Sequence, residues 1–373
     1  MPALLKPPPE TAETTPISWR DTRFGPIPLH PAIALVEEVI ADILDPEMVA
    51  VDRSGVRAET LAALADRTDY LRIAVPEEAG GRTLPQPVVS EMAQLIAGAC
   101  PSTFQIAAQH STPINWIVKS GSPELRDLLG PLARGERIGG SAFGHMTAWP
   151  NRVPLKASRV DGGWVVDGVA PWFSGDGLVS VLALAAVVED ERLGLHAIVE
   201  LPHARISPRP VAVSAIDGAR TAALHFDRLF ISEEHVIETF ALDGWNIGGA
   251  GPPVNAAALG LARRALLFAI ERLPDEPALQ QIAEEIGVLL AVAYGPAVPR
   301  DAGDSDLDLR ARSIAVAIAA SNAAILAGGG SVLLSSHPVQ VWSRAATSYQ
   351  VRGLSPALRE RHFHYLTRLF RAA

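Results

Sequence analysis

The chain has 373 residues, 48% of them hydrophobic, which is enough for a large buried core shared by two or three modules. A net charge of -9 without any basic run excludes a nucleic-acid partner held by its phosphates. The single cysteine, Cys100, excludes an intrachain disulfide framework and a cysteine-rich metal site, and the expected compartment is cytoplasmic.

Residues 1–30 are expected to be an N-terminal arm: Met1 to Trp19 carries prolines at 2, 7, 8, 9 and 16 but lacks the basic-then-apolar order of a signal peptide. Residues 31–135 are expected to be helical. Pro31 to Leu44 places Ile33, Val36, Ile40 and Ile43 at spacings of three and four, and Leu61 to Leu71 and Pro87 to Ala99 follow as helices. Residues 136–238 change to short β-branched segments between turns, with strands expected over Trp164 to Val166, Val179 to Val188, His196 to Leu201 and Thr221 to Phe226. This is the pattern of an antiparallel β-domain.

Residues 239–373 return to helix. Asn255 is placed to cap Ala256 to Arg272, and Ala278 to Ala293 shows one apolar face. Leu309 to Ala327 is apolar nearly all round. The uncharged run Ser313 to Ser336 is broken by Ser321, Asn322 and Gly328-Gly329-Gly330, so a buried bundle helix is expected there and no membrane span. Pro338 to Arg352 and Pro356 to Phe370 close the chain as two more helices. Helices, then strands, then helices give an α+β chain.

Several stretches carry a family resemblance. Val75-Pro76-Glu77-Glu78-Ala79-Gly80-Gly81, Gly135-Glu136-Arg137-Ile138, Gly162-Gly163-Trp164-Val165-Val166-Asp167-Gly168 leading to Trp172-Phe173-Ser174-Gly175, and Asn255 to Leu266 together resemble the acyl-CoA dehydrogenase superfamily. The resemblance implies a helical N-terminal domain, a central antiparallel β-domain, a C-terminal helical bundle and FAD as cofactor. It places Phe143, Gly144, Trp172, Phe173 and Ser174 at the flavin, with the Ser174 hydroxyl near flavin N5. It further implies a small-molecule or acyl-thioester substrate and a homodimer or homotetramer, or a hetero-oligomer with a related subunit.

The chain departs from the family where the catalytic carboxylate sits. Gly353 occupies the usual Glu slot with Arg352 beside it, and Ala250 and Gly251 stand at the alternative position. Glycine accepts no proton and arginine stays protonated, so neither can be the base, and Arg352 reads as a cation at a helix C-terminus. His145 and Asp243 are substitute candidates. The loop that holds the FAD tail in relatives is here Leu273-Pro274-Asp275-Glu276-Pro277, and Ile325 replaces a glutamine before Gly328-Gly329, leaving Arg272 and Gln281 as possible stand-ins. The leading expectation is an FAD-dependent oxidoreductase that moves hydride from an acyl thioester or related substrate. One alternative is a flavin-dependent monooxygenase of the same fold, suggested by Pro171 followed by Ser174-Gly175. The other is a non-catalytic or half-site subunit of a hetero-oligomeric dehydrogenase. No HExxH zinc motif, Gly-x-Ser-x-Gly elbow or P-loop occurs, and no metal is expected.

Overall fold

The computed structural model describes residues 24–243, 253–295 and 304–368. The expected arm over Met1 to Trp19 and the positions Ala250 and Gly251 lie outside the described residues. Eight helices come first: α1 (Pro31–Val39), α2 (Asp45–Ser54), α3 (Ala58–Arg67), α4 (Gln86–Ala99), α5 (Pro101–Gln109), α6 (Ser111–Ser120), α7 (Pro123–Arg126) and α8 (Leu129–Ala133). His30 caps α1 by accepting the Ala32 N–H at Nδ1, 3.1 Å away, and Pro31 fills the first position, where a missing N–H costs nothing. The apolar stripe read from the sequence is real: Ile33, Val36 and Ile40 are buried. The helix does not stop at Leu44, however, but passes through a π-turn over Ile40–Leu44 straight into α2. The helix expected over Leu61 to Leu71 ends four residues earlier, because the Thr68 N–H and hydroxyl both bond the Leu64 carbonyl and turn the chain away.

Eight strands follow: β1 (Gly139–Ala142), β2 (Leu155–Val160), β3 (Gly163–Phe173), β4 (Val181–Val188), β5 (Leu193–Glu200), β6 (Ile206–Pro210), β7 (Ala222–Ser232) and β8 (Val236–Ala241). They form one sheet in the order β6-β7-β3-β2-β4-β5-β8, with β1 also against β4. The expected antiparallel β-domain is present, with one parallel feature: β1 and β2 both run parallel to β4. β4 is buried along its whole length, and its two faces serve different cores. Leu182, Leu184, Ala186 and Val188 join the main core, while Val181 and Ala183 pack with Ile114 and Ile117 of α6. A strand covered on both faces has no polar side to show, hence its unbroken apolar sequence.

The C-terminal helices are α9 (Ala256–Arg272), α10 (Pro277–Tyr294), α11 (Asp304–Gly328), α12 (Pro338–Tyr349) and α13 (Pro356–Arg368). Asn255 caps α9, its side chain accepting the Ala258 N–H at 3.1 Å. α9 is central, packed by α4, α10, α11 and α12, and every residue from 257 to 270 is buried. α12 ends at Tyr349, short of the expected Arg352, and the next residues form a turn.

The expectation that α11 is buried is met only in part. Asp306–Leu333 is long and apolar enough to cross a membrane by length and composition alone, yet only 39% of its most apolar window is buried in the chain. Ile314, Ala317, Ala320 and Ala324 face the core, whereas Leu326 stands 80% exposed.

Candidate functional site

The site is built where β3 leaves the sheet. Successive strand residues point to opposite faces, so Phe173 enters the core, 1% exposed, while Trp172 stands out at 61%. Phe173 therefore anchors the strand end from beneath. At Gly175, φ is +95° and the N–H donates to the Ala219 carbonyl at 2.8 Å, turning the chain sharply after Ser174.

The half-buried Ser174 faces α5. Its hydroxyl accepts a hydrogen bond from Gln105 Nε2 at 3.3 Å. One helical turn on, Gln109 Nε2 donates to the Gln105 carbonyl at 2.9 Å, and Gln109 Oε1 accepts from the Ser141 hydroxyl of β1 at 2.9 Å. Ser174, Gln105, Gln109 and Ser141 thus form one polar row along the seam between α5 and the sheet. The sequence reading missed α5 and this row. The available signal was two glutamines four residues apart in a stretch that opens on Pro101.

Phe143 and Gly144 follow β1. Phe143 is half-buried, its ring centroid 6.1 Å from that of Trp116. Gly144 is exposed, and a Cβ there would meet no heavy atom within 4 Å. Trp116 also stacks on His196 at 4.0 Å, and the His196 ring approaches Glu238 at 3.1 Å on the far side.

The histidines near this seam are structural. His110 Nδ1 accepts the Gly139 N–H at 2.9 Å while Nε2 lies 3.2 Å from the Leu132 carbonyl, so the Nε2–H tautomer ties α5 and α6 to the start of β1. His145 turns inward, with Nε2 2.9 Å from the Ala185 carbonyl. Burial pushes both pKa values down to about 4, so both rings are neutral near pH 7. His145 is thus committed to a backbone carbonyl in the core. The other substitute base, Asp243, is exposed and paired with Arg192 at 2.6 Å, and the hydrogen bond from that guanidinium lowers its pKa.

Gly353 lies exposed in the turn after α12, with φ +63° and nothing within 4 Å of a Cβ position. Arg352 beside it is exposed. Arg272 folds back on its own helix, with its guanidinium 3.5 Å from the Phe268 ring centroid and Nη1 donating to the Phe268 carbonyl. Gln281 lines a groove of about 450 Å³ between α10, α11 and α13, bordered by Ile318, Leu366 and the Arg312–Glu285 pair. Among the described residues no three His, Cys, Asp or Glu side chains gather as a metal site. Among the described residues no carboxylate hydrogen-bonds to the polar row. Hydroxyls and amides can orient a flat or polar group there, but they do not take a proton from carbon.

Comparisons with known proteins agree with this architecture. The family model described as "Acyl-CoA dehydrogenase, N-terminal domain" matches residues 32–136. The chain is similar to benzylmalonyl-CoA dehydrogenase of Aromatoleum aromaticum, 23% identical over 239 residues, which are 60% of this chain and 62% of that protein's length. In structure it resembles a glutaryl-CoA dehydrogenase from Mycobacterium smegmatis in complex with FADH2, with TM-score 0.74, 15% identity, and 92% of this chain and 94% of that chain covered. It also resembles the HsaA monooxygenase from M. tuberculosis, with TM-score 0.70, 16% identity, and 92% and 99% covered. The family match over residues 32–136 and the fold of the described chain together support membership of the acyl-CoA dehydrogenase superfamily.

Proposed function

We infer that the chain is an FAD-dependent oxidoreductase acting on an acyl thioester or related substrate. The observation that carries this is the end of β3, where an exposed Trp172 stands beside the half-buried Ser174 hydroxyl. A flavin needs an apolar wall and fixed hydrogen-bonding groups at its edge, and these residues fit that need. Trp172 and Phe143 would supply the wall, the Ser174 hydroxyl the edge contact, and Gly144 the open approach, with Phe173 holding the strand from the core. When bound, the flavin would supply a two-electron acceptor for hydride. The residues at the tail positions fit less well: Arg272 is engaged with Phe268 and Gln281 faces the groove by α13.

The chain's own part is to orient and to exclude water. Gln105 fixes the Ser174 hydroxyl, and the Gln109–Ser141 bond fixes α5 against β1. Removing an α-proton is the step these residues leave unserved, since the family position is Gly353. One observation favours a second reading, a monooxygenase, which needs no α-proton base: Pro171 followed by Ser174-Gly175, together with the likeness to a monooxygenase of this fold. Exposed apolar residues on α11 and α13 support assembly into a homodimer or homotetramer, or with a related subunit.

The deciding experiment is a visible absorption spectrum of freshly purified protein, followed by titration with FAD. A flavin spectrum, native or reconstituted, is expected. Colourless protein that takes up no FAD would remove the enzyme reading and favour a non-catalytic subunit. Flavin bleaching by acyl-CoAs would select the dehydrogenase; oxygen consumption by the reduced flavoprotein with substrate would select the monooxygenase.

A further inference from the structure

The row on α5 leaves hydrogen-bonding capacity unused at one point. A glutamine amide offers two N–H donors and a carbonyl with two lone pairs. Gln109 uses both ends of its side chain within the protein, on the Gln105 carbonyl and the Ser141 hydroxyl. Gln105 uses a single N–H, toward Ser174. Among the described residues its side-chain carbonyl oxygen and second N–H make no hydrogen bond, and the side chain is half-buried beside the exposed end of β3. The Ser174 hydroxyl accepts from Gln105, so its own proton remains free to donate.

The rest of that α5 turn is apolar and buried: Phe104, Ile106 and Ala107 all face the core. A saturated chain laid along Gln105 would cover its amide with nothing to bond it, which is disfavoured. A ligand with its own hydroxyl or carbonyl would complete the set. No lysine or arginine among the described residues hydrogen-bonds to the row, so a neutral polar group suits it better than a carboxylate.

We propose that Gln105, held in place by Gln109 and Ser174, is the specificity-determining residue of this site and selects acyl substrates bearing a neutral hydroxyl or carbonyl group over saturated hydrocarbon chains. This rests on the flavoprotein reading above for the location of the substrate. It adds the chemical class of the acyl chain.

The test is calorimetric binding of two matched thioesters, butyryl-CoA and 4-hydroxybutyryl-CoA, to the full chain supplied with FAD, with flavin content read by absorbance on the same samples. The wild type should bind the hydroxylated ligand about tenfold more tightly, the scale expected when one hydrogen-bonded pair is satisfied or lost. Gln105→Leu should bring the two affinities within about twofold when compared with the wild type at equal flavin content. Should that variant not fold, Gln105→Ala reads the same preference, and Gln105→Glu, which keeps an acceptor, should retain it.

Equal affinities in the wild type, tighter butyryl-CoA, no binding of either ligand, or a preference that survives Gln105→Leu would each overturn the proposal. A Gln105-dependent preference in protein that holds no flavin would uphold the selectivity and remove the oxidoreductase reading, so the two failures are separable.

Discussion

Arg263 on α9 grips Glu91 on α4 with two parallel hydrogen bonds, Nη1 to Oε2 at 2.6 Å and Nη2 to Oε1 at 3.0 Å, and their side chains are 1% and 2% exposed. Tyr294 of α10 donates to the same carboxylate, and Gln94 both accepts from Arg263 and donates to Tyr294, closing a ring of three buried polar groups and the half-buried Tyr294. Burial and the neighbouring carboxylate raise the Tyr294 pKa, so its hydroxyl remains a donor. The ring ties the N-terminal helices to the C-terminal bundle at the centre of the molecule.

Removing one partner of such a pair leaves a buried charge without compensation, at a cost of about 3–5 kcal/mol. Arg263→Met or Glu91→Leu alone should lower unfolding free energy by that amount in urea titrations. The double variant should recover much of the loss, because it buries no lone charge. Additive losses in the double variant would show that the two groups act independently.

Stability should fall on mild acidification. His110 and His145 have folded pKa values of about 4, below the ordinary value of 6.5. Above pH 6.5 both are neutral in folded and unfolded chains alike, so stability there is independent of them. Between pH 6.5 and 4 the unfolded chain takes up protons that the folded one refuses, which costs about 1.4 kcal/mol per pH unit per histidine. Urea midpoints measured from pH 7 to pH 5 should decline, and His145→Phe should reduce the slope. An unchanged slope in that variant would show that His145 titrates normally.

Ser174→Ala should weaken FAD retention by about 0.5–1.5 kcal/mol with little change in melting temperature, since among the described residues the hydroxyl bonds only the half-buried Gln105. Dialysis against FAD-free buffer with absorbance readout checks it. A large stability loss with flavin retention intact would make Ser174 a structural residue.

A carboxylate can be restored at position 353. Space permits it, as nothing lies within 4 Å of a Cβ there, but φ is +63°, so any non-glycine residue costs about 1 kcal/mol in backbone strain. Gly353→Ala measures that strain alone. Gly353→Glu should show the same stability loss and, on the dehydrogenase reading, speed flavin reduction by acyl-CoAs by about 10²–10⁴-fold. Fast reduction by the unmodified chain would mean that another residue is the base.

Association is expected through the bundle. Leu326 on α11, Leu333 and Leu334 just beyond it, and Phe363 on α13 are all exposed in the single chain. Light scattering at micromolar concentration should report a dimer or larger, and Leu326→Glu should shift it toward smaller species. A wild-type monomer would contradict this.

Local chemistry was legible in the sequence wherever a rule acts over a few residues. Pro31, Asn255, Pro338 and Pro356 start helices because a cap or a fixed φ is decided by the residue itself, and the apolar stripe of Ile33, Val36 and Ile40 follows from the 3.6-residue period. The order of helices, strands and helices followed from the same signals. What the chain could not reveal by itself were contacts between residues far apart. That β1 and β2 run parallel to β4, and that Arg263 meets Glu91 across 172 positions, depend on which surfaces meet after collapse.

The site shows the same division. Trp172 and Phe173 are neighbours of like chemistry, and only the pleat of β3 against β7 and the core decides that one faces out and the other in. Gln105 and Ser174 lie 69 residues apart, and the docking of α5 on the sheet makes them a pair. The sequence determined that no carboxylate stands at Gly353, because composition is a local fact. Where His145 points was settled by the tertiary structure, which turned it into the core to satisfy the Ala185 carbonyl, because a buried acceptor must be bonded by whatever donor the fold brings to it.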